Sequence, residues 1–269
     1  MLGKLLKHEM KATARIFLPM IGALAIFSVI YKFLYSDMVS GMLLSGYSSW
    51  LSSILYFISS TIYGLLIAAA FVATFIVLLQ RFYRNLLKDE GYLMFTLPVK
   101  PWQHIAVKTI NSGIWGFING AVAFFSILFL SGELPQFFQG WGEFWSEFSW
   151  MCRDAGIGTV AAFLELILLF LILLFGSMLP VFASISIGQL WKNHRVLGAV
   201  GAYIALILIT QTLVSVGITL WGEVFLVQIS SAAAVWHTIL VTCIVSLLFF
   251  FAVCFVATNL ILSKRLDLE

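Results

Sequence analysis

From Gly156 to Leu190 the chain carries one charged residue, Glu165, in a near-continuous run of Leu, Ile, Phe, Val and Ala. A water-soluble fold has nowhere to hide such a run. A bilayer does: its hydrocarbon core, about 30 Å thick, takes about 20 apolar residues to cross as a helix. Only helices and closed barrels satisfy every backbone N–H and C=O there without water. Five further runs read the same way, at about Ile16–Leu34, Leu51–Leu79, Thr109–Leu130, Val196–Trp221 and Val235–Leu262. Of all residues 62% are hydrophobic and 10% are charged, where soluble domains carry about 25% charged residues. Soluble enzymes and nucleic-acid-binding domains are therefore excluded. The chain of 269 residues is predicted to be an all-α membrane protein, one transmembrane domain of six helices joined by short loops.

The few charges are sorted. Lys4, Lys7, Lys11 and Arg15, then Arg81, Arg84, Lys88, Lys100 and Lys108, then Lys192, Arg195, Lys264 and Arg265 fall on one side. Those are 13 of the 15 basic residues; the other side keeps Lys32 and Arg153, with Asp37, Glu133, Glu143, Glu147, Asp154 and Glu223. Short loops rich in Lys and Arg stay in the cytoplasm. Both termini and the Arg81–Lys108 loop are thus expected on the cytoplasmic side of a cell membrane. The basic start is followed by too long an apolar run, without a small-residue cleavage site, to read as a cleaved signal peptide.

Two spans exceed a straight crossing: at 1.5 Å per residue the second is roughly 44 Å long and the fourth roughly 52 Å. The second is predicted to run on as helix through Arg81-Phe-Tyr-Arg-Asn-Leu-Leu and to end near Gly91, a residue suited to a helix C-terminus. In the fourth, Pro180 removes the hydrogen bond to the Gly176 carbonyl, which predicts a kink there. At the start of the chain, Leu2, Leu5 and Leu6 share a face, with Lys4, Lys7 and Lys11 around the other. Residues 1–15 are expected either as a short helix in the inner interface or as the solvated start of the first span. Cys152, Cys243 and Cys254 are an odd number without metal-ligand spacing, so no disulfide framework or zinc site is expected.

The 81–108 loop is the most informative stretch. An acidic pair, Asp89 and Glu90, precedes Gly91 and the apolar segment Tyr92, Leu93, Met94, Phe95, Thr96 and Leu97; Pro98 and Pro101 follow. Pro101 suits the first turn of the next helix. An apolar segment on the cytoplasmic side has to be covered by the inner leaflet, by the protein itself or by a partner whose groove takes a helix. The run DEGYLMFTLPVKPWQ, after RFYRNLL and a long second span, resembles the first cytoplasmic loop of type 2 ABC exporter permeases. It is similar above all to the six-span permease subunits of Gram-positive and clostridial-type bacteria. The basic opening MLGKLLKHEMKATAR and the ending ATNLILSKRLDLE are compatible with that family.

The resemblance implies a permease that pairs with a second permease subunit, identical or different, and with two cytoplasmic ATPase subunits. In that family the loop between the second and third spans is the coupling helix. Carried over, Asp89 to Pro98 would lie against the ATPase, with Arg84, Lys88, Asp89 and Glu90 setting the charge and Tyr92, Met94 and Phe95 as apolar anchors. This chain has no phosphate-cradling G-x-x-x-x-G-K-[ST] sequence. It is therefore expected to bind no cofactor, with ATP and magnesium on the partner subunit.

Within the spans, Glu165 is either a lining residue of the substrate path or a carboxyl held neutral or snorkelling outward. Asn119 and Gln211 are candidate hydrogen-bonding partners between helices and, with Glu165, the candidate residues of a transport pathway. Gly113, Gly116 and Gly120 share a face, as do Ala68–Ala70 with Ala73, and both patterns suit close helix packing. On the outer side Trp141, Trp145 and Phe148 share a helical face, and Glu143 and Glu147 another. An amphipathic helix on the outer leaflet and a gate or recognition surface are both compatible with that segment. Rival classes are an intramembrane enzyme, for which convergent catalytic groups are lacking, and a secondary transporter, channel or immunity or scaffold protein not driven by ATP.

Overall fold

A computed structural model of the chain describes residues 2–45, 49–87, 99–154, 156–191, 194–221 and 232–264. Among these residues the regular structure is entirely helical. In chain order the helices are α1 (Leu2–Ser45), α2 (Ser49–Leu87), α3 (Pro101–Ser131), α4 (Leu134–Gln139), α5 (Trp141–Asp154), α6 (Thr159–Gly176), α7 (Leu179–Gly188), α8 (Arg195–Trp221) and α9 (Ala232–Lys264). Six stretches are long and apolar enough to cross a membrane: Leu2–Phe33, Phe57–Leu86, Pro101–Ser131, Thr159–Gly188, Arg195–Leu220 and Val235–Ser263. They correspond one for one to the six runs read from the sequence. The chain is a multi-pass membrane protein.

Several helix ends depart from the apolar runs. α1 is continuous from Leu2 to Ser45, so no turn separates the basic start from the span that follows it. Between Gly3 and Pro19 the chain holds no helix breaker, and the helix accommodates even Pro19. α2 runs on through Arg81 to Leu87, as its composition predicts; the expected end near Gly91 lies outside the described residues. α3 begins at Pro101, whose missing N–H is unneeded in a first turn. The aromatic segment after α3 is helical too, as α4 and α5. α5 ends where Gly156 takes φ +74°, the Gly156 N–H bonding to Arg153 O and the Ile157 N–H to Cys152 O. This paired closure needs a left-handed residue, which glycine supplies without strain.

The fourth span is broken as Pro180 requires. α6 stops at Gly176, and α7 starts at Leu179 with Pro180 in its first turn. Beside the break Gly176 has the Phe251 ring against it; an added Cβ would lie 2.2 Å from that ring.

The chain divides into two compact units. One comprises Met1–Leu6, Leu79–Ile114 and Trp141–Glu269. In it α7 packs on α8 and α9, and α9 also on α6 and α8. α7 is apolar on all sides and almost wholly buried, the expected state of a helix without a polar face. Its Leu179, Val181, Phe182 and Ile185 join Phe250, Phe251 and Cys254 of α9 in the main core. Gly188 lets α7 approach α8, where a Cβ would meet Ala199 at 2.7 Å. The predicted glycine face of α3 is used at Gly113, over which the Phe175 ring lies. Gly120 of the same face has no neighbour within 4 Å of an added Cβ.

The other unit comprises Lys7–Leu78 and Trp115–Gly140. Polar side chains join its helices. The Trp115 indole N–H donates to Thr13 Oγ1 at 2.8 Å, with the Phe17 ring 4.9 Å from the indole. The Asn119 amide donates to Thr74 Oγ1, and the Thr74 hydroxyl donates to the Ala70 carbonyl at 2.8 Å. In a bilayer, association of helices relies on such bonds and on close packing, because lipid tails are as apolar as the side chains they replace.

Candidate functional site

The 81–108 loop is rooted in the core at both ends. On its N-terminal stem Phe82 and Leu86 stand four apart, on one face of α2, and both are fully buried. The Phe82 ring stacks on Phe182 of α7, centroids 4.1 Å apart and planes 7° from parallel. On the C-terminal stem Ile105 of α3 is equally buried and joins the same cluster. The two stems are also tied to one another. The buried Lys108 of α3 donates from Nζ to the Arg81 carbonyl of α2 at 3.4 Å. Arg84, by contrast, is exposed on the last turn of α2. Lys88, Asp89, Glu90, Gly91, Tyr92, Leu93, Met94, Phe95, Thr96, Leu97 and Pro98 lie outside the described residues. The two stems thus share one buried cluster with Leu179, Val181, Phe182 and Ile185 of α7.

The second place with chemistry lies inside the spans. Glu165 of α6 meets His237 of α9: His237 Nδ1 is 2.8 Å and 2.9 Å from the two carboxylate oxygens. With 22% of the Glu165 side chain and 32% of that of His237 accessible, the pair is largely enclosed. Ring nitrogen and carboxylate face one another at hydrogen-bond distance, the donor being whichever of the two atoms carries the proton. Such a pair neutralises the carboxylate where an isolated charge is expensive, and can hold or pass a proton. Among the described residues no three His, Cys, Asp or Glu side chains come together in a way that could hold a metal ion.

Of the other residues singled out in the spans, Asn119 serves the bond to Thr74, and Gln211 is exposed on α8. Neither is what Glu165 uses. His237 was readable only by depth. Glu165 lies six residues into α6 and His237 five into α9, or about 9 and 8 Å at 1.5 Å per residue. In a chain that crosses alternately, the fourth and sixth spans run in the same direction, so equal depth puts both groups on one level.

On the aromatic segment, Trp145 and Phe148 of α5 pack edge-on against Phe163 of α6, at 5.3 and 6.2 Å between centroids. Trp141, Phe144 and Trp150 remain exposed.

No protein-family model, no curated protein and no solved structure matches the chain.

Proposed function

We propose that the chain is the transmembrane permease subunit of a bacterial ATP-binding cassette exporter. It moves an amphipathic or hydrophobic substrate, of the peptide, drug or lipid kind, across the plasma membrane. Separate ATPase subunits, which hold ATP and magnesium, dock on the 81–108 loop from the cytoplasm, where both termini also lie. A second permease subunit, the same or different, completes the path. One observation carries this reading: Phe82, Leu86 and Ile105 of the two stems are buried in one cluster with residues of α7, the second half of a span broken at Pro180. A load applied to the loop therefore reaches a jointed helix through close-packed rings, and packed interiors transmit displacement. The 13 basic residues on the loop's side support its cytoplasmic placement.

Exposed ion pairs contribute only about 0–1 kcal/mol each. The apolar residues Tyr92, Met94 and Phe95 thus carry most of the docking energy. Phe95→Ala is expected to leave ATP hydrolysis running while transport falls. Coupled turnover at the wild-type rate in that variant contradicts the assignment.

The Glu165–His237 pair favours a second reading, a secondary transporter driven by protons, since intramembrane ionisable pairs serve as proton relays. The two separate on the energy source. Transport that survives collapse of the proton gradient but stops on ATP depletion supports the exporter. The reverse supports the proton-driven carrier.

A further inference from the structure

In the second unit α3 ends at Ser131, and Lys32 of α1 reaches its last turn. Beside that end Lys32, Ser60 and Ser131 line one cavity of about 220 Å³, together with Tyr31 and Tyr63. Lys32 is, with Arg153, one of only two basic residues on its side of the membrane. Its ammonium lies 4.1 Å from the centre of the Phe129 ring and donates to the Phe129 carbonyl at 2.5 Å. An ammonium has three N–H donors, and among the described residues no carboxylate takes one from Lys32.

Tyr63 also lines the adjoining groove, of about 350 Å³, which continues between α1 and α2 past Leu24, Phe27, Leu66 and Ala70. It is almost purely apolar. From Ser60 to Ala73 the two cavities follow α2 for about 20 Å at 1.5 Å per residue, more than the roughly 15 Å that one leaflet contributes to the hydrocarbon core. A fixed cation at interface level, flanked by hydroxyls and continued by an apolar slot one leaflet deep, matches one kind of molecule.

We propose that this face binds a single anionic phospholipid, its phosphate on Lys32 and one acyl chain in the α1–α2 groove. Charge complementarity selects the headgroup: a zwitterionic lipid brings its own cation to a place already holding one. The site is independent of the exporter reading and of the 81–108 loop.

The test uses the full chain, purified in mild detergent and offered equal amounts of phosphatidylglycerol and phosphatidylcholine with matched acyl chains. Bound lipid is counted by native mass spectrometry. Wild type is expected to retain one phosphatidylglycerol with about five-fold preference, the scale of one basic residue at an anionic surface. Lys32→Gln should lose the preference, and Lys32→Arg should keep it. Ala70→Trp, which fills the groove and leaves the cation, should lower retention of both lipids. Equal retention by the wild type overturns the proposal, as does a preference that survives Lys32→Gln in a variant with wild-type helix content. Displacement of the lipid by millimolar inorganic phosphate would reduce the site to a headgroup contact and overturn the groove. If Lys32→Gln does not fold, the wild-type competition and Ala70→Trp still decide the matter.

Discussion

At the scale of single residues, one side-chain pair inside the spans joins two groups 72 positions apart in sequence, Glu165 and His237. Removing one partner leaves the other polar and stranded among apolar neighbours; removing both does not. Glu165→Leu and His237→Leu should each lower the melting temperature in detergent, and the double variant should recover part of the loss. Coupling between polar side chains in membrane proteins averages about 0.6 kcal/mol and reaches about 1.7, so a double-mutant cycle near 1 kcal/mol is expected. Strict additivity of the two substitutions contradicts a working pair. The carboxyl was visible in the sequence because it stood alone in an apolar run. Its partner was not, because pairing across helices depends on depth and rotation, which no local pattern encodes. The same holds for Asn119: the sequence marks it as a helix-joining amide, but only packing sets Thr74 opposite it. Gln211 satisfies the same composition rule and is exposed.

At the scale of elements, apolar runs located all six spans, since lipid imposes helix wherever such a run crosses. Their ends were harder to read. Nothing in residues 2–15 stops a helix, and α1 starts there without a turn. α2 extends past its apolar run because Phe82 and Leu86 still have a core to enter. Proline chemistry, in contrast, is local, and it placed the break between α6 and α7 correctly. That break is kept open by close packing as well. Gly176→Leu would push a side chain into the Phe251 ring, and overpacking of this kind costs about 1–3 kcal/mol. A loss of thermal stability is expected, partly restored by adding Phe251→Ala; a fully stable Gly176→Leu protein contradicts the packing described. The buried stems of the loop have their own test. Phe82→Ala deletes a fully buried ring stacked on Phe182, and such truncations cost about 3–5 kcal/mol. Chemical denaturation should show a destabilisation of that order. A change below 1 kcal/mol would mean that the stem is not anchored as described.

At the scale of the whole molecule, charge rather than hydrophobicity carries the information. The 62% hydrophobic content names the solvent in which the chain lives. The 13 basic residues sorted to one side carry the proposed orientation, because moving Lys and Arg clusters across a membrane is unfavourable. Single cysteines placed at Lys100 and at Glu143 should react with an impermeant thiol reagent on opposite faces of intact cells. Labelling of Lys100→Cys from outside contradicts the orientation. The central claim is that the 81–108 loop receives a separate ATPase. The most direct measurement fixes a photoreactive amino acid at position 95 in the cell of origin, irradiates, and purifies the chain under gentle extraction. The account predicts a crosslinked partner that binds and hydrolyses ATP, present in stoichiometric amounts and absent when the probe sits on the opposite side, at position 143. Recovery of the chain alone, or crosslinked only to lipid, would contradict it.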